Sequence, residues 1–388
     1  MGAAFCFATI SPMEPDKILA AYKKVGGRVE TKGKVTLTSK EDFALFYTPG
    51  VGTVSTHLAA HPEDAKTLSV KGNSVAVISD GSAVLGLGNI GPYGALPVME
   101  GKALIFKQFA NIDAWPIVLD TQDPAKIIEA VRAIAPGFGG INLEDIAAPA
   151  CFEIEERLIK ELSIPVMHDD QHGTAIVVLA GLINAAIVAG KELKTMKLVI
   201  IGAGAAGAAT ALLLNEYGIH DIVVVDRKGT IDVSREDLTD VKQELARRTN
   251  PRHIQGSLEN ALMGADAVIG LSGGGKLTSS HIETMAPNPI VFALANPTPE
   301  ILPEDAKKGG AAIVATGRSD FPNQINNALV FPGIFRGALD GNVAAITTTI
   351  KLKAAAALAA LVSSPSADCI IPEVLDERVV PTIAAAVQ

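Results

Sequence analysis

Residues 197–226 read KLVIIGAGAAGAATALLLNEYGIHDIVVVD, and the order of residue types within them sets the fold. Residues 198–201 form a short, mostly β-branched apolar run, as expected of a parallel strand buried on both faces. Gly202, Gly204 and Gly207 follow at G-x-G-x-x-G spacing. The first glycine permits a sharp turn, the second admits a pyrophosphate to the backbone, and the third lets helix pack close on strand. Residues 208–214 are rich in Ala and Leu and predict a helix, whose free N–H groups and positive dipole end face the phosphates. A second apolar run, residues 222–225, ends at Asp226, where a carboxylate can accept hydrogen bonds from the adenosine ribose. Strand, turn, helix, strand and terminal acid agree on a Rossmann-type dinucleotide site built from Gly202, Gly204, Ala205, Ala206, Gly207 and Asp226. Further buried strands are expected at residues 267–271, 290–294 and 311–315. Each empties at the carboxyl edge, where a parallel α/β sheet binds ligands, so Asn296 is placed to meet cofactor or substrate.

Composition limits what surrounds that unit. A chain of 388 residues suggests two domains of ordinary size. The expected division is an N-terminal α/β substrate domain over residues 1–165 and a dinucleotide-binding domain with a mostly parallel sheet and C-terminal helices over 166–388. Net charge is -9 and no basic block occurs, which argues against nucleic acid or an anionic membrane as partner. Cys6, Cys151 and Cys369 are far apart, so neither a disulfide framework nor a zinc site is indicated, and a reducing cytoplasm is the expected compartment. The apolar start lacks a basic n-region and is too short to span a membrane.

Two acidic pairs stand out. Glu144 and Asp145 lie inside the apolar segment at residues 141–146, and Asp169 and Asp170 follow an expected strand at 164–167. Buried acids are costly without a compensating cation. Either pair alone also reads as a helix cap or solvated turn; jointly they offer oxygen ligands from separate segments, as Mg²⁺ or Mn²⁺ requires. His168 and His172 lack the H-E-x-x-H pattern of zinc enzymes. Lys102 heads the apolar run at 101–106, as either a strand-end charge reaching solvent or a partly buried base with a lowered pKa. Tyr47 precedes Thr48-Pro49-Gly50, so an extended backbone before a turn is expected, with the ring in a cleft or packed at a domain edge. Gly86, Gly88 and Gly91 repeat the G-x-G-x-x-G spacing, but residues 75–79 and 82–87 flank Asp80-Gly81 and suggest a β-hairpin. These glycines therefore read as close backbone packing beside a cleft. Residues 270–277 nearly fit a phosphate-binding loop, yet Leu277 stands where the hydroxyl belongs.

In this order, Tyr47-Thr48-Pro49-Gly50-Val51, Asp80-Gly81, Gly86-Leu87-Gly88-Asn89-Ile90-Gly91, Glu100-Gly101-Lys102, Gly140-Ile141-Asn142-Leu143-Glu144-Asp145 and Asp169-Asp170-Gln171-His172-Gly173-Thr174 resemble the motif series of malic enzymes, especially the short bacterial type. The resemblance continues through Ala295-Asn296-Pro297-Thr298 and Gln324-Ile325-Asn326-Asn327-Ala328 to Ile371-Pro372, covering nearly the whole chain. It implies oxidative decarboxylation of malate to pyruvate and carbon dioxide with a nicotinamide cofactor and a divalent metal, Mg²⁺ or Mn²⁺, in a homodimer or larger homo-oligomer. Carried over by position, Glu144, Asp145 and Asp170 are the implied metal ligands, with Asp169 beside them. Lys102 is the implied base, Tyr47 the implied acid, and Asn296 and Asn327 bind substrate. Ala83 stands where larger members carry an arginine for a malate carboxylate. Asp226 favours NAD, although Arg227 and Lys228 follow and could admit the phosphate of NADP. Two other classes remain: a metal-independent hydroxy- or amino-acid dehydrogenase, which leaves the acidic pairs without a role, and a nucleotide-binding sensor, which leaves Lys102 and Tyr47 without one.

Overall fold

A computed structural model describes residues 14–84 and 86–388; Cys6 and the apolar start lie outside the described residues. Two sheets organise them. The first comprises β1 (Ser74–Ser79), β2 (Asp113–Val118), β3 (Gly140–Leu143) and β4 (Val166–His168), in the order β2-β1-β3-β4. All its pairings are parallel. The second comprises β5 (Leu198–Ile201), β6 (Ile222–Asp226), β7 (Gly229–Thr230), β8 (Ala267–Gly270), β9 (Ile290–Ala293) and β10 (Ile313–Thr316), in the order β10-β9-β8-β5-β6-β7. Only the two-residue β7 runs antiparallel. The molecule is thus α/β with a mostly parallel sheet in its dinucleotide half. Every residue of β5, β8, β9 and β10 is buried, as continuous apolar runs in a parallel sheet covered on both faces should be.

The expected hairpin at residues 75–87 is not formed. β1 pairs with β2 on one side and β3 on the other, so neither edge is left for a hairpin partner, and Val84 instead forms an isolated bridge with Gly88. The unbroken apolar run of β1, buried throughout, was the sign of a central parallel strand. Lys102 also departs from the strand reading. It lies inside the helix Gly91–Ala110, whose buried positions Ala95, Met99, Lys102, Ala103, Phe106 and Ala110 follow a helical period.

The helix Asp169–Ala189 begins directly after β4 and is buried along most of its length. It is long and apolar enough to cross a membrane, but here it is the central core helix. It packs against the helices Ala205–Tyr217 and Thr348–Ala360, and Asn184 Nδ2 donates to the carbonyls of Ala359 and Ile370, both at 2.9 Å. The C-terminal helices return to the first sheet through aromatic rings. Phe106, fully buried, meets Phe331 and Phe335 edge-on with centroids 4.8 and 5.4 Å away. Three rings meeting in two contacts at one seam bind the chain's end to its first half. Phe106→Ala is expected to cost about 3–5 kcal/mol, seen as a lower urea midpoint for the whole chain; an unchanged midpoint would mean that the seam contributes little.

Candidate active site

The strand order brings the acidic pairs together. β3 and β4 are parallel neighbours, so Glu144 and Asp145, just past β3, stand beside Asp169 and Asp170, just past β4. Asp145 takes a left-handed backbone, φ 54°, which an aspartate tolerates better than most residues. Its N–H donates to Asp170 Oδ2 at 2.8 Å. Carboxylate oxygens of Glu144, Asp145 and Asp170 all lie within 4.8 Å of one another. Glu144, Asp145 and Asp169 are 3, 2 and 0% exposed, whereas the Asp170 side chain keeps 28% and marks the open side.

Lys102 reaches into this group from the helix Gly91–Ala110. Its Nζ lies 3.1 Å from Glu144 Oε1, donates to Asp169 Oδ2, and sits 4.3 Å from the centre of the Phe331 ring. Burial disfavours its charge, but Asp169, Glu144 and Asp170 outweigh that and raise its pKa. Burial likewise raises Glu144 well above its ordinary value, with Asp170, Asp169 and Asp145 adding to the effect against Lys102. Asp169 rises to about 6, again chiefly through burial with Lys102 opposing. One ammonium does not neutralise four crowded carboxylates. Oxygen donors of this number and charge fit a hard divalent cation, and Glu144, Asp145 and Asp170 are the residues that could hold one.

Asn327 is part of the same neighbourhood. A Cβ on Gly173 would lie 3.1 Å from Asn327 Cβ and 1.9 Å from Asp169 Oδ1, so all three positions meet at the first turn of the helix Asp169–Ala189. Asn296, just beyond β9, lies where the two sheets face each other: a Cβ on Gly86 (φ 73°) would stand 2.5 Å from its carbonyl oxygen. The Ala83 N–H donates to the Asp145 carbonyl at 2.9 Å, so the residue in place of an arginine touches the cluster without bringing charge. Tyr47 is not brought into this group. It ends the helix Lys40–Phe46 rather than an extended segment, is 58% exposed, and has its ring against Phe43 at 5.2 Å.

The dinucleotide loop has the geometry expected from its glycines. Gly202 has φ 115° and abuts the Leu271 carbonyl after β8, so the turns after β5 and β8 meet where strand order reverses, at the crevice. A Cβ on Gly207 would fall 1.9 Å from the Gly202 oxygen, while one on Gly204 would meet nothing within 4 Å. The helix Ala205–Tyr217 starts with no side-chain cap, leaving its first N–H groups for a phosphate. Asp226 is more constrained than its position suggested. Oδ1 accepts from Arg235 Nη1 and the Lys228 N–H, both at 2.9 Å, and Oδ2 from Arg235 Nη2 at 3.2 Å and Lys242 Nζ at 2.6 Å. All four acceptor directions of the carboxylate are in use. The cations that pair with it are Arg235 and Lys242, from sequence positions further on than Arg227 and Lys228.

Two buried acids escaped the motif reading. Glu300 accepts from the Ser272 and Ala295 N–H groups at 3.1 and 3.0 Å and so ties together the turns after β8 and β9. Glu155 accepts from the His168 N–H at 2.7 Å, Gln171 Nε2 at 3.1 Å and His172 Nε2 at 2.9 Å, anchoring the turn that carries Asp169 and Asp170. Its sequence signal was an acid on the apolar stripe Cys151, Ile154, Glu155, Leu158 of the helix Ala150–Glu161.

A model of the malic enzyme NAD-binding domain matches residues 171–388, and one of the malic enzyme N-terminal domain matches 26–125 and 121–159. The chain is 52% identical to a bifunctional malic/malolactic enzyme of Bacillus subtilis over 96% of its own length and 92% of the relative's. It is 52% identical to a NAD-dependent malic enzyme of Geobacillus stearothermophilus over 94% and 76%. The crystal structure of a NAD-dependent malic enzyme from Thermotoga maritima superposes with a TM-score of 0.92 at 48% identity, covering 95% of this chain and 98% of the other.

Burial works to raise the Glu155 pKa, yet His172, Lys351 and His168 overcome it and hold the carboxyl at about 2 against an ordinary 4.5. A depressed acid stabilises the fold above its unfolded pKa and loses that contribution as pH falls through the folded value. Glu155→Gln should therefore lower the urea midpoint most near pH 7, with the deficit narrowing toward about pH 3.5; a deficit that does not change with pH would mean shape, not charge, is what matters there.

Proposed function

The chain belongs to the malic enzyme family, and from that premise we propose that it converts L-malate to pyruvate and carbon dioxide with reduction of NAD, NADP being taken as an alternative. The observation that carries this reading is the buried ammonium of Lys102 set among Glu144, Asp169 and Asp170. A base beside a metal-type carboxylate cluster is what oxidation of a hydroxy acid followed by loss of a carboxylate needs. A metal-independent dehydrogenase gives the cluster no task.

Lys102 takes the proton of the C2 hydroxyl while the C2 hydrogen departs with its electron pair. The bond from C3 to its carboxyl group then breaks, carbon dioxide leaves, and C3 of the resulting enol is protonated, for which we assign Tyr47. When bound, the nicotinamide accepts the hydride and the divalent cation, Mg²⁺ or Mn²⁺, draws electron density from the C2 oxygen. Positive charge placed on Glu144, Asp145 and Asp170 also opposes the carboxylate field that raises Lys102, favouring its neutral form. Asn296 and Asn327 are assigned to the substrate, with Asp169 holding Lys102 in position.

Tyr47 belongs to helices in which no residue is buried within one chain. Leu45, Phe46 and Val51 are exposed beside it. An apolar surface of this kind supports a homodimer or larger homo-oligomer that covers it. We place the enzyme in the cytoplasm, acting on small molecules without nucleic-acid or membrane partners.

The direct test supplies malate and NAD with and without Mn²⁺ while reduced cofactor and carbon dioxide are both followed. Reduced cofactor without carbon dioxide, or turnover indifferent to metal, would defeat the reading. Asp170→Asn should weaken Mn²⁺ binding by ~10-fold or more, about 1.4 kcal/mol, and leave NAD affinity nearly intact because the phosphate loop is a separate site; equal loss of both would show a general collapse instead.

Cofactor choice has its own test. Arg235→Ala vacates two acceptor positions on Asp226 for the ribose hydroxyls and removes a cation that a 2′-phosphate could use. The ratio of kcat/KM for NAD over NADP should rise by about tenfold, and a falling ratio would show that Arg235 serves NAD.

A further inference from the structure

Behind the catalytic turn lies a second cavity of about 330 Å³, within the size range of small-ligand pockets. It is bounded by helices rather than by the carboxyl edges of the strands. Phe152, Leu212, Leu213 and Val241 give it apolar walls, and Lys351 and Thr348 enter from the first turn of the helix Thr348–Ala360.

Lys351 is the unusual member. It is only partly exposed, and among the described residues its ammonium forms no hydrogen bond or ion pair. Burial pushes its ammonium down to about 8, with the more distant charge of Glu155 opposing. Glu155 is already committed to His168, Gln171 and His172. The other cation of the lining, Arg248, is paired with Glu216 and, at 3.7 Å, with Glu244. One positive charge is therefore left facing an apolar-walled space, an arrangement that is costly until an anion joins it. The positive end of the helix Thr348–Ala360 has the same preference, and the Thr348 hydroxyl adds a donor. Glu216 and Glu244 on the same wall act against a second negative charge. Walls without further unpaired cations favour a hydrocarbon body.

We propose that this cavity is a binding site for a small monocarboxylate with an apolar chain, its carboxylate on Lys351 and Thr348 and its chain against Leu212, Leu213 and Val241. The site is separate from the cleft that holds the acidic cluster, although Gln171 and His172 line it and join it, through Glu155, to the turn bearing Asp169 and Asp170. A bound carboxylate would change the field on Glu155, so occupancy is expected to be felt in the metal-dependent reaction.

Hexanoate is a suitable probe, titrated calorimetrically into the full chain with hexylamine and succinate as controls. Saturable binding of one hexanoate per chain is expected, with no saturable binding of the amine and at least tenfold weaker binding of the dianion. Lys351→Met should weaken hexanoate at least tenfold, Lys351→Arg should largely preserve it, and Val241→Trp should abolish it by filling the space. Urea midpoints close to that of the parent show that these variants are folded. If Lys351→Met lowers the midpoint, Val241→Trp alone decides. Absence of saturable hexanoate binding to the parent, or binding unaffected by Val241→Trp, would overturn the proposal. Hexylamine binding as tightly as hexanoate would do the same, because it would leave Lys351 without a role.

Discussion

Charge removed from water at the ends of β3 and β4 is the constraint on which the remainder of the molecule depends. Four carboxylates converge there, three of them nearly inaccessible, and Lys102 is the ammonium set directly among them. Removing such groups from water costs several kcal/mol each unless partners are supplied. Partial compensation comes from the protein: Asn142 Nδ2 donates to Glu144 Oε2 at 3.1 Å and the Asp145 N–H to Asp170. The deficit that remains is one of positive charge on the open side, next to Asp170. A fold that tolerates this arrangement must hold it rigidly, since any relaxation would spread the acids apart into solvent.

That rigidity comes from neighbouring elements. Parallel pairing of β3 with β4 fixes the separation of the acidic pairs, and Glu155 fixes the turn after β4 from behind. The helix Asp169–Ala189 continues the turn into the core, where it packs against helices of the dinucleotide half. One helix thus carries Asp169 and Asp170 at its start and supports the second sheet along its length. The two halves share a core cluster that includes residues of both sheets, so the position of the cofactor crevice relative to the acids is a matter of packing rather than of a flexible connection.

The dinucleotide unit was legible because each local signal required the others. Gly202, Gly204 and Gly207 sit between apolar runs that could only be buried strands, and in the observed turn Gly202 takes a positive φ and Gly207 brings the helix against the Gly202 backbone. The acid pairs were legible because charge inside an apolar run is expensive and therefore informative. Sequence patterning failed where the same residues serve two periods. Val75–Ile78 followed by Asp80-Gly81 satisfies a hairpin as well as a parallel strand, and the pairing of both edges of β1, with β2 and β3, decides between them. The run at 101–106 reads as a strand until it is joined to Ala95, Met99 and Ala110, which reveal the helical period. Glu155, Arg235 and Lys242 gave no motif signal because their partners are brought to them by the fold. Tyr47 marks the remaining gap: it stays 58% exposed with its ring against Phe43, away from the acidic cluster.

The contact between Gly86 and Asn296 carries a consequence for distance. The acidic cluster and the dinucleotide loop are carried by different sheets, and chemistry that joins two such sites tolerates little extra separation between the reacting groups. The loop after β1 reaches the turn after β9 with no room for even a methyl group between them. Gly86 therefore acts as a stop of minimum thickness, and the width of the cleft is fixed by the absence of a side chain. A larger residue there would act as a shim, leaving the acidic cluster and the dinucleotide loop each intact and the space between them wider.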